Sequence, residues 1–443
     1  MRRRHRPGWA RFAPGAAALG LLAWAAAGPL APVLAGGLPA AAPAALSTPA
    51  LGTGACPEFV SPCLTPAALE RLYGEATLLR AGWQGRGEKV VVVVSYGDPV
   101  LAQDVRTFDA RFHLPALGLT VRAPLGLARF DPRRPDMVGW QEETALDVET
   151  IHAVAPLARV VVLTSPIDET EGVQGLPQFL ALDRYALSHR LGCIFSQSWA
   201  TEERDLGSPA GRAEVLRYAA FDRTLTGADG CTVLSGSGDT GGLPEVAFPA
   251  DLPWVTAVGG TQLVGAPASP PGYRQVAWPG SAGGASALFP EPTWQRRLPP
   301  AVQAVLRGRR GLPDVAAAAS PRLNLAVVAG GGWITANGTS EATPVWAGLV
   351  ALADQMAGHP LGDINPLLYQ LAASPSGRGA LLDIVQGTNA VPDAVPPAPG
   401  HRAVPGWDLV TGLGSPWAAQ LVPGLVRLAR CRAGPAPPAG CPA

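Results

Sequence analysis

Val90-Val91-Val92-Val93-Val94 places five β-branched residues in a row. A strand with one face in water alternates apolar and polar side chains. This run has no polar face, so it reads as a strand covered on both sides, as parallel sheets require. The same reading extends outward to Arg159-Val160-Val161-Val162-Leu163, Cys193-Ile194-Phe195-Ser196, Cys231-Thr232-Val233-Leu234 and Trp254-Val255-Thr256-Ala257-Val258. Between them lie helical patterns over Asp104 to Phe112, Glu143 to Ala153, Pro177 to His189 and Ala213 to Leu225. Upstream, Thr65 as cap and Pro66 at the first helical position open a helix that ends near Tyr73-Gly74. Strand and helix alternate, so the class is α/β with a mainly parallel central sheet flanked by helices. Neither a fixed-period repeat nor an internal boundary appears. Residues 63–425 read as one large domain, preceded by an Ala/Pro/Gly-rich linker over 36–62 and followed by a Pro/Cys-rich tail over 426–443.

Composition narrows the functional classes. The 443 residues are 47% hydrophobic, ample for a buried core, and 34 acidic residues balance 34 basic ones. No basic patch argues for nucleic acid and no acidic run for a tail. The start, Met1-Arg2-Arg3-Arg4-His5-Arg6, precedes an apolar run from Ala16 to Ala27 and a small-residue site at Val33-Leu34-Ala35. Residues 1–35 therefore read as a secretory signal, with retention at the cell envelope as the variant outcome. No later segment offers about 18 unbroken apolar residues, so no stable membrane span is expected. Six cysteines fit an oxidising compartment; Cys56 and Cys63 are close in sequence, as are Cys431 and Cys441, leaving Cys193 and Cys231. The sequence permits fifteen pairings and proves none.

Chemistry concentrates in three segments. Asn337-Gly338-Thr339-Ser340-Glu341-Ala342-Thr343-Pro344 is a small-residue turn that leads into an apolar helical pattern. A helix N-terminus favours nearby negative charge and a glycine turn admits a substrate, so Ser340 is a candidate nucleophile; the competing reading is a helix cap. Serine nucleophiles usually borrow a histidine, yet none of the six histidines stands in a catalytic signature. A carboxylate base is the alternative. Glu143 and Asp147, spaced i, i+4, share one helix face, where their mutual repulsion raises at least one pKa. The third segment, Ser235-Gly236-Ser237-Gly238-Asp239-Thr240-Gly241-Gly242, follows a strand directly and carries Asp239 to the carboxyl end of the sheet, where α/β sites lie.

Together these segments resemble the sedolisin family of serine-carboxyl peptidases. The resemblance begins at Leu64-Thr65-Pro66-Ala67-Ala68-Leu69-Glu70-Arg71-Leu72-Tyr73-Gly74 and continues through Glu143-x-x-Leu146-Asp147, Ser198-Trp199, Ser237-Gly238-Asp239 and Val258-Gly259-Gly260-Thr261. It ends with Pro313-Asp314-Val315, Gly338-Thr339-Ser340, Asp383-Ile384 and Gly406-Trp407-Asp408-Leu409-Val410-Thr411-Gly412-Leu413-Gly414. It implies a subtilisin-like fold and acid-acting, secreted, monomeric endopeptidase chemistry on protein or peptide substrates. Ser340 would be the nucleophile, Glu143 the general base and acid, Asp147 the group that orients Glu143, and Asp239 a protonated donor to the oxyanion. The requirement for a neutral Asp239 sets the expected activity maximum near pH ~3–5. One structural calcium ion is also implied, held by side-chain oxygens of Asp383 and Asp408 and backbone carbonyls of Ile384, Val404 and Gly406.

The chain departs from the family pattern in two places. Glu341 stands where a small residue is usual, and would put a further carboxylate beside Ser340. Residues 36–62 are too few for the long folded prosegment of such precursors, so unaided folding, or loss of activity, is an expectation. Three rival readings remain, of which a His-dependent subtilisin lacks its histidine signature. A non-catalytic secreted binding protein could share the fold, and an α/β-hydrolase esterase would pair Ser340 with Asp383 and His401; the latter leaves Glu143, Asp147 and Asp239 unexplained.

Overall fold

In a computed structural model of the chain, the five-valine run is the centre of strand β1 (Lys89–Ser95), and all five side chains are buried. The structure describes residues 56–57, 60, 62–169, 173–227, 230–243, 246–265 and 273–432. The proposed signal and most of the linker lie outside these residues.

Strand β1 is flanked on both edges, by β3 (Arg159–Ser165) and β4 (Ile194–Gln197), each in parallel register. Beyond β3 lies β2 (Gly118–Arg122). Beyond β4 come β5 (Thr232–Gly236), β6 (Thr256–Val264) and β8 (Val315–Ala318), all parallel, while β7 (Arg274–Ala277) pairs antiparallel with β6. The sheet is thus mainly parallel, as its apolar runs require. The edge strand β2 is the exception in sequence and in burial: none of its residues is buried, and Gly-Leu-Thr-Val-Arg carries no continuous apolar run.

The helices begin where local chemistry starts them. In α1 (Pro66–Leu72), Thr65 Oγ1 accepts the Ala68 N–H at 3.2 Å and Pro66 occupies the first turn. The other layer helices are α2 (Leu101–Phe112), α3 (Pro135–Val154), α4 (Leu176–Ser188) and α5 (Pro209–Gly227). Sequence spacing marks only the second half of α3; its first half opens on Pro135 and buries Met137 and Trp140. Helix α6 (Thr339–Ala357) is buried along almost its whole length, lying against α3 and strands β4, β5, β6 and β8. A Cβ on Gly348 of α6 would stand 2.6 Å from Val154 Cγ1 of α3, so the two helices approach closely at that point. The last helix, α7 (Ala418–Arg432), runs past residue 425 and buries Val426 and Leu428 against the core.

Two disulfides fasten this body. Cys56 joins Cys63, and Cys193 joins Cys231 at the entrances of the neighbouring strands β4 and β5. Cys431 is disulfide-bonded as well, and Cys441 lies outside the described residues. Asp314, from the Pro313-Asp314-Val315 motif, is fully buried; it accepts from Arg310 Nη1, the Tyr369 hydroxyl and the Ala257 N–H. The Ala257 bond thus anchors the start of β8 to β6, and the buried ion pair with Arg310 holds the Asp314 carboxyl in place.

Candidate active site

Ser340 is the second residue of α6, and the cap position belongs to Gly338. Glycine has no side chain to cap with, so the serine hydroxyl is not consumed in closing the helix. Gly338 sits at φ 104° and ψ 174°, a region that essentially only glycine adopts, and its N–H is tied to the Ala319 carbonyl at 2.8 Å. The turn presents a half-buried Ser340 beside the positive end of the helix.

The Ser340 hydroxyl lies close enough to the Glu143 carboxylate to oppose the rise in its pKa. Glu143 and Asp147 both lie on α3, as their spacing implies, with Asp147 fully buried one turn on. Ser198, the first residue after β4, connects them: its Oγ donates to Asp147 Oδ1 at 2.6 Å, and its hydroxyl also opposes the rise in the Glu143 pKa. Burial is the largest influence raising the Glu143 pKa well above the usual carboxylate range, followed by the charge of Asp147; the bonds from Ser340 and Ser198 oppose it. Asp147 is pushed up to about 8 by burial, against the Ser198 bond.

Asp239 reaches the same place from the turn after β5. Its Oδ1 accepts the Thr339 N–H at 2.8 Å and the Thr339 hydroxyl at 2.9 Å, while the Thr339 hydroxyl accepts from the Gly238 N–H at 3.2 Å. A Cβ on Gly338 would lie 2.3 Å from Asp239 Oδ2, so the carboxyl covers the glycine turn next to the nucleophile. Although Asp239 is accessible to solvent as a residue, the packing around its carboxyl raises its pKa, and the two Thr339 bonds counter that rise. Among the described residues, no basic side chain pairs with Glu143, Asp147 or Asp239, and no histidine hydrogen-bonds Ser340. The esterase reading finds no support: among the described residues no hydrogen bond joins His401 to Ser340 or Asp383, and the His401 carbonyl accepts from the Asn389 backbone N–H and the Thr388 hydroxyl.

Glu341 does not join the site. Successive helical residues diverge by about 100°, and its fully buried carboxyl accepts the Leu325 N–H at 3.1 Å. The added carboxylate expected beside Ser340 is therefore directed into the core. The contributions of Thr339 and Ser198 were not legible; both stand in quoted motifs, but nothing in their spacing announces a bond to Asp239 or Asp147.

The residues of the expected calcium site are brought together on one surface. Asp383 Oδ2 accepts the Gly406 N–H at 2.9 Å. Asp408 accepts the N–H groups of Val404 at 3.1 Å and of Val410 and Thr411 at 2.8 Å each. Ile384 is buried between them in sequence, and Val404 is exposed. Among the described residues no group of three or more His, Cys, Asp or Glu side chains is placed to hold a metal ion. Two carboxylates supplemented by backbone carbonyls are a different donor set, one that suits a hard cation. Burial raises both carboxyl pKa values, Asp408 to about 6, and no basic side chain among the described residues neutralises either; the pair fits a cation in that respect.

A parallel α/β sheet of subtilisin type, with a helix-terminal serine facing a paired carboxylate and a second carboxyl at the same turn, defines a serine-carboxyl peptidase framework. No protein-family model matches the chain. Kumamolisin of Bacillus sp. (strain MN-32) is 36% identical over 311 residues, covering 67% of this chain and 52% of the relative. Tripeptidyl-peptidase sed4 of Aspergillus fumigatus is 34% identical over 334 residues, covering 62% and 52%, and human tripeptidyl-peptidase 1 is 30% identical over 311 residues, covering 62% and 50%. The fold matches Pseudomonas sedolisin, a serine-carboxyl proteinase solved with two molecules of pseudo-iodotyrostatin, at TM-score 0.64 and 24% identity over 77% of this chain and 92% of that one. The chain belongs to the sedolisin family of serine-carboxyl peptidases. It spans about half the length of the curated relatives it matches.

Proposed function

We propose that this protein is a secreted endopeptidase acting at acid pH on protein or peptide substrates, through an acyl-enzyme on Ser340. The observation that carries the proposal is the convergence of Glu143 and Asp239 on Ser340, at a turn where Thr339 holds the Asp239 carboxyl beside the nucleophile.

The chemistry follows from those contacts. Ser340 Oγ attacks the scissile carbonyl as Glu143 takes its proton. The oxygen that becomes negative is met by the Asp239 carboxyl, which must be protonated to donate, and the nearby helix N-terminus adds a favourable potential. Glu143 then returns the proton to the departing amine, and the same group activates water to release the acyl chain. Asp147 orients Glu143 by way of Ser198, whose hydroxyl donates to Asp147 Oδ1. Asp383 and Asp408, with the carbonyls of Ile384, Val404 and Gly406, would hold one structural calcium ion, which supplies charge neutralisation to that loop. Export follows the N-terminal signal reading, and a monomer suffices because every proposed catalytic group comes from one chain.

Two ionisations bound the activity. Glu143 must be charged to act as a base, which sets the acid limb; Asp239 must be neutral, which sets the alkaline limb. The maximum is expected near pH ~3–5, toward the upper end because burial raises both groups, with activity lost by neutral pH. The test is hydrolysis of a denatured protein from acid to neutral pH by the natural chain, Ser340→Ala and Glu143→Gln. Acid proteolysis lost in both variants supports the proposal. Ester hydrolysis at neutral pH that survives Glu143→Gln would point to an esterase, and no turnover at any pH to a binding protein.

A further inference from the structure

We propose that the Ser198 hydroxyl is the positioning group that couples Asp147 to Glu143, holding the base toward Ser340 and fixing which carboxyl carries the proton. This rests on the serine-carboxyl reading above. Ser198 is buried directly after strand β4, whose last residue, Gln197, is paired with Ser235 of β5 in the parallel ladder. Its Oγ lies 2.6 Å from Asp147 Oδ1 and 3.4 Å from the Ser340 carbonyl oxygen, near enough to Glu143 to oppose the rise in its pKa. The other oxygens of the pair have no such hold: among the described residues Glu143 Oε1 and Asp147 Oδ2 are buried without a hydrogen-bond partner. The Ser340 and Ser198 hydroxyls are therefore what orient the pair.

One hydroxyl has one proton and two lone pairs. While Ser198 donates to Asp147, its lone pairs remain free to accept from Glu143 once Glu143 carries a proton. When Glu143 takes the proton of Ser340, the new O–H of Glu143 points at Ser198, and the chain Glu143 to Ser198 to Asp147 runs in one direction. Ser198 keeps its own proton throughout, and the transferred proton remains on Glu143 until the leaving amine takes it. Without the hydroxyl, the carboxyl pair loses the donor that Asp147 Oδ1 accepts, and the two buried carboxyls face each other with no dipole between them.

The test uses the full chain with Ser198→Ala and Ser198→Thr, measuring kcat and KM for a chromogenic peptide at each pH, with thermal melting alongside. Ser198→Ala is expected to lower kcat roughly 100-fold, the scale of a misplaced reacting group, with KM within about threefold. Its acid limb should move to higher pH, because the carboxyl pair loses the hydroxyl that lowers its proton affinity. Ser198→Thr keeps the hydroxyl and should restore both kcat and the limb. Natural kcat and an unmoved limb in Ser198→Ala would overturn the proposal. So would a Ser198→Thr variant that melts like the natural chain yet has lost the same activity. A natural chain inactive at every pH would overturn the peptidase reading itself and this proposal with it, an outcome read on a different sample.

Discussion

At the scale of single residues, Gly338 constrains the site more tightly than its size suggests. It combines a backbone conformation closed to other residues with a carboxyl oxygen where its Cβ would be. Gly338→Ala is expected to cost about 1–3 kcal/mol of stability. Because it displaces Asp239, it should also lower kcat by roughly 10²–10³, the range for losing one oxyanion donor. Asp239→Ala should reproduce the kcat loss without the stability loss, and melting curves beside steady-state kinetics separate the two. Glu341 teaches the complementary lesson. In sequence it is Ser340's neighbour, yet in space it belongs to the Leu325 backbone, since a helix turns adjacent residues away from each other. Ser198 shows the reverse: 51 positions from Asp147, it makes one of the closest bonds in the site.

At the scale of elements, the site depends on two helices and the ends of two parallel strands. The doubly covered strands were legible because burial on both faces leaves a continuous apolar run. Strand β2, at the sheet edge with nothing buried, gave no such run. The Glu143 and Asp147 pair was legible from i, i+4 spacing, but the meeting of α3 with α6, which brings Glu143 to Ser340, depends on packing between residues roughly 200 positions apart. Gly348 is the contact that sets this approach. Gly348→Val should overpack it against Val154, at a cost of about 1–3 kcal/mol. By moving α6 off α3 it should weaken the Ser340 to Glu143 bond, so kcat should fall while KM for a peptide changes little. Loss of stability with unchanged kcat would show that the helices can part without disturbing the base.

At the scale of the whole molecule, the unusual feature is the number of buried carboxyls held above their ordinary pKa. Burial takes Asp104 and Asp408 to about 6 and Asp147 and Asp222 to about 8, and raises Glu149, Asp183, Asp251, Glu341 and Asp354 well above the usual range. Each is neutral in the folded chain at a pH where the unfolded chain has released its proton. The folded state therefore binds more protons, and stability falls as pH rises. In calcium-free buffer, Tm should be highest below the ordinary carboxyl range and should decline through pH 6 to 8. A Tm that climbs toward neutrality would mean that these groups are ionised and paired in the native state. Such a fold suits acid work, but the central claim is chemical: Ser340 forms the acyl-enzyme with Glu143 as its base. Its most direct measurement is the intact mass of the protein after mixing with a peptide substrate at acid pH and quenching within the first turnover. The account predicts an acyl adduct mapped to Ser340 in the natural chain and none in Glu143→Gln. An adduct on another residue, or undiminished adduct formation in Glu143→Gln, would contradict it.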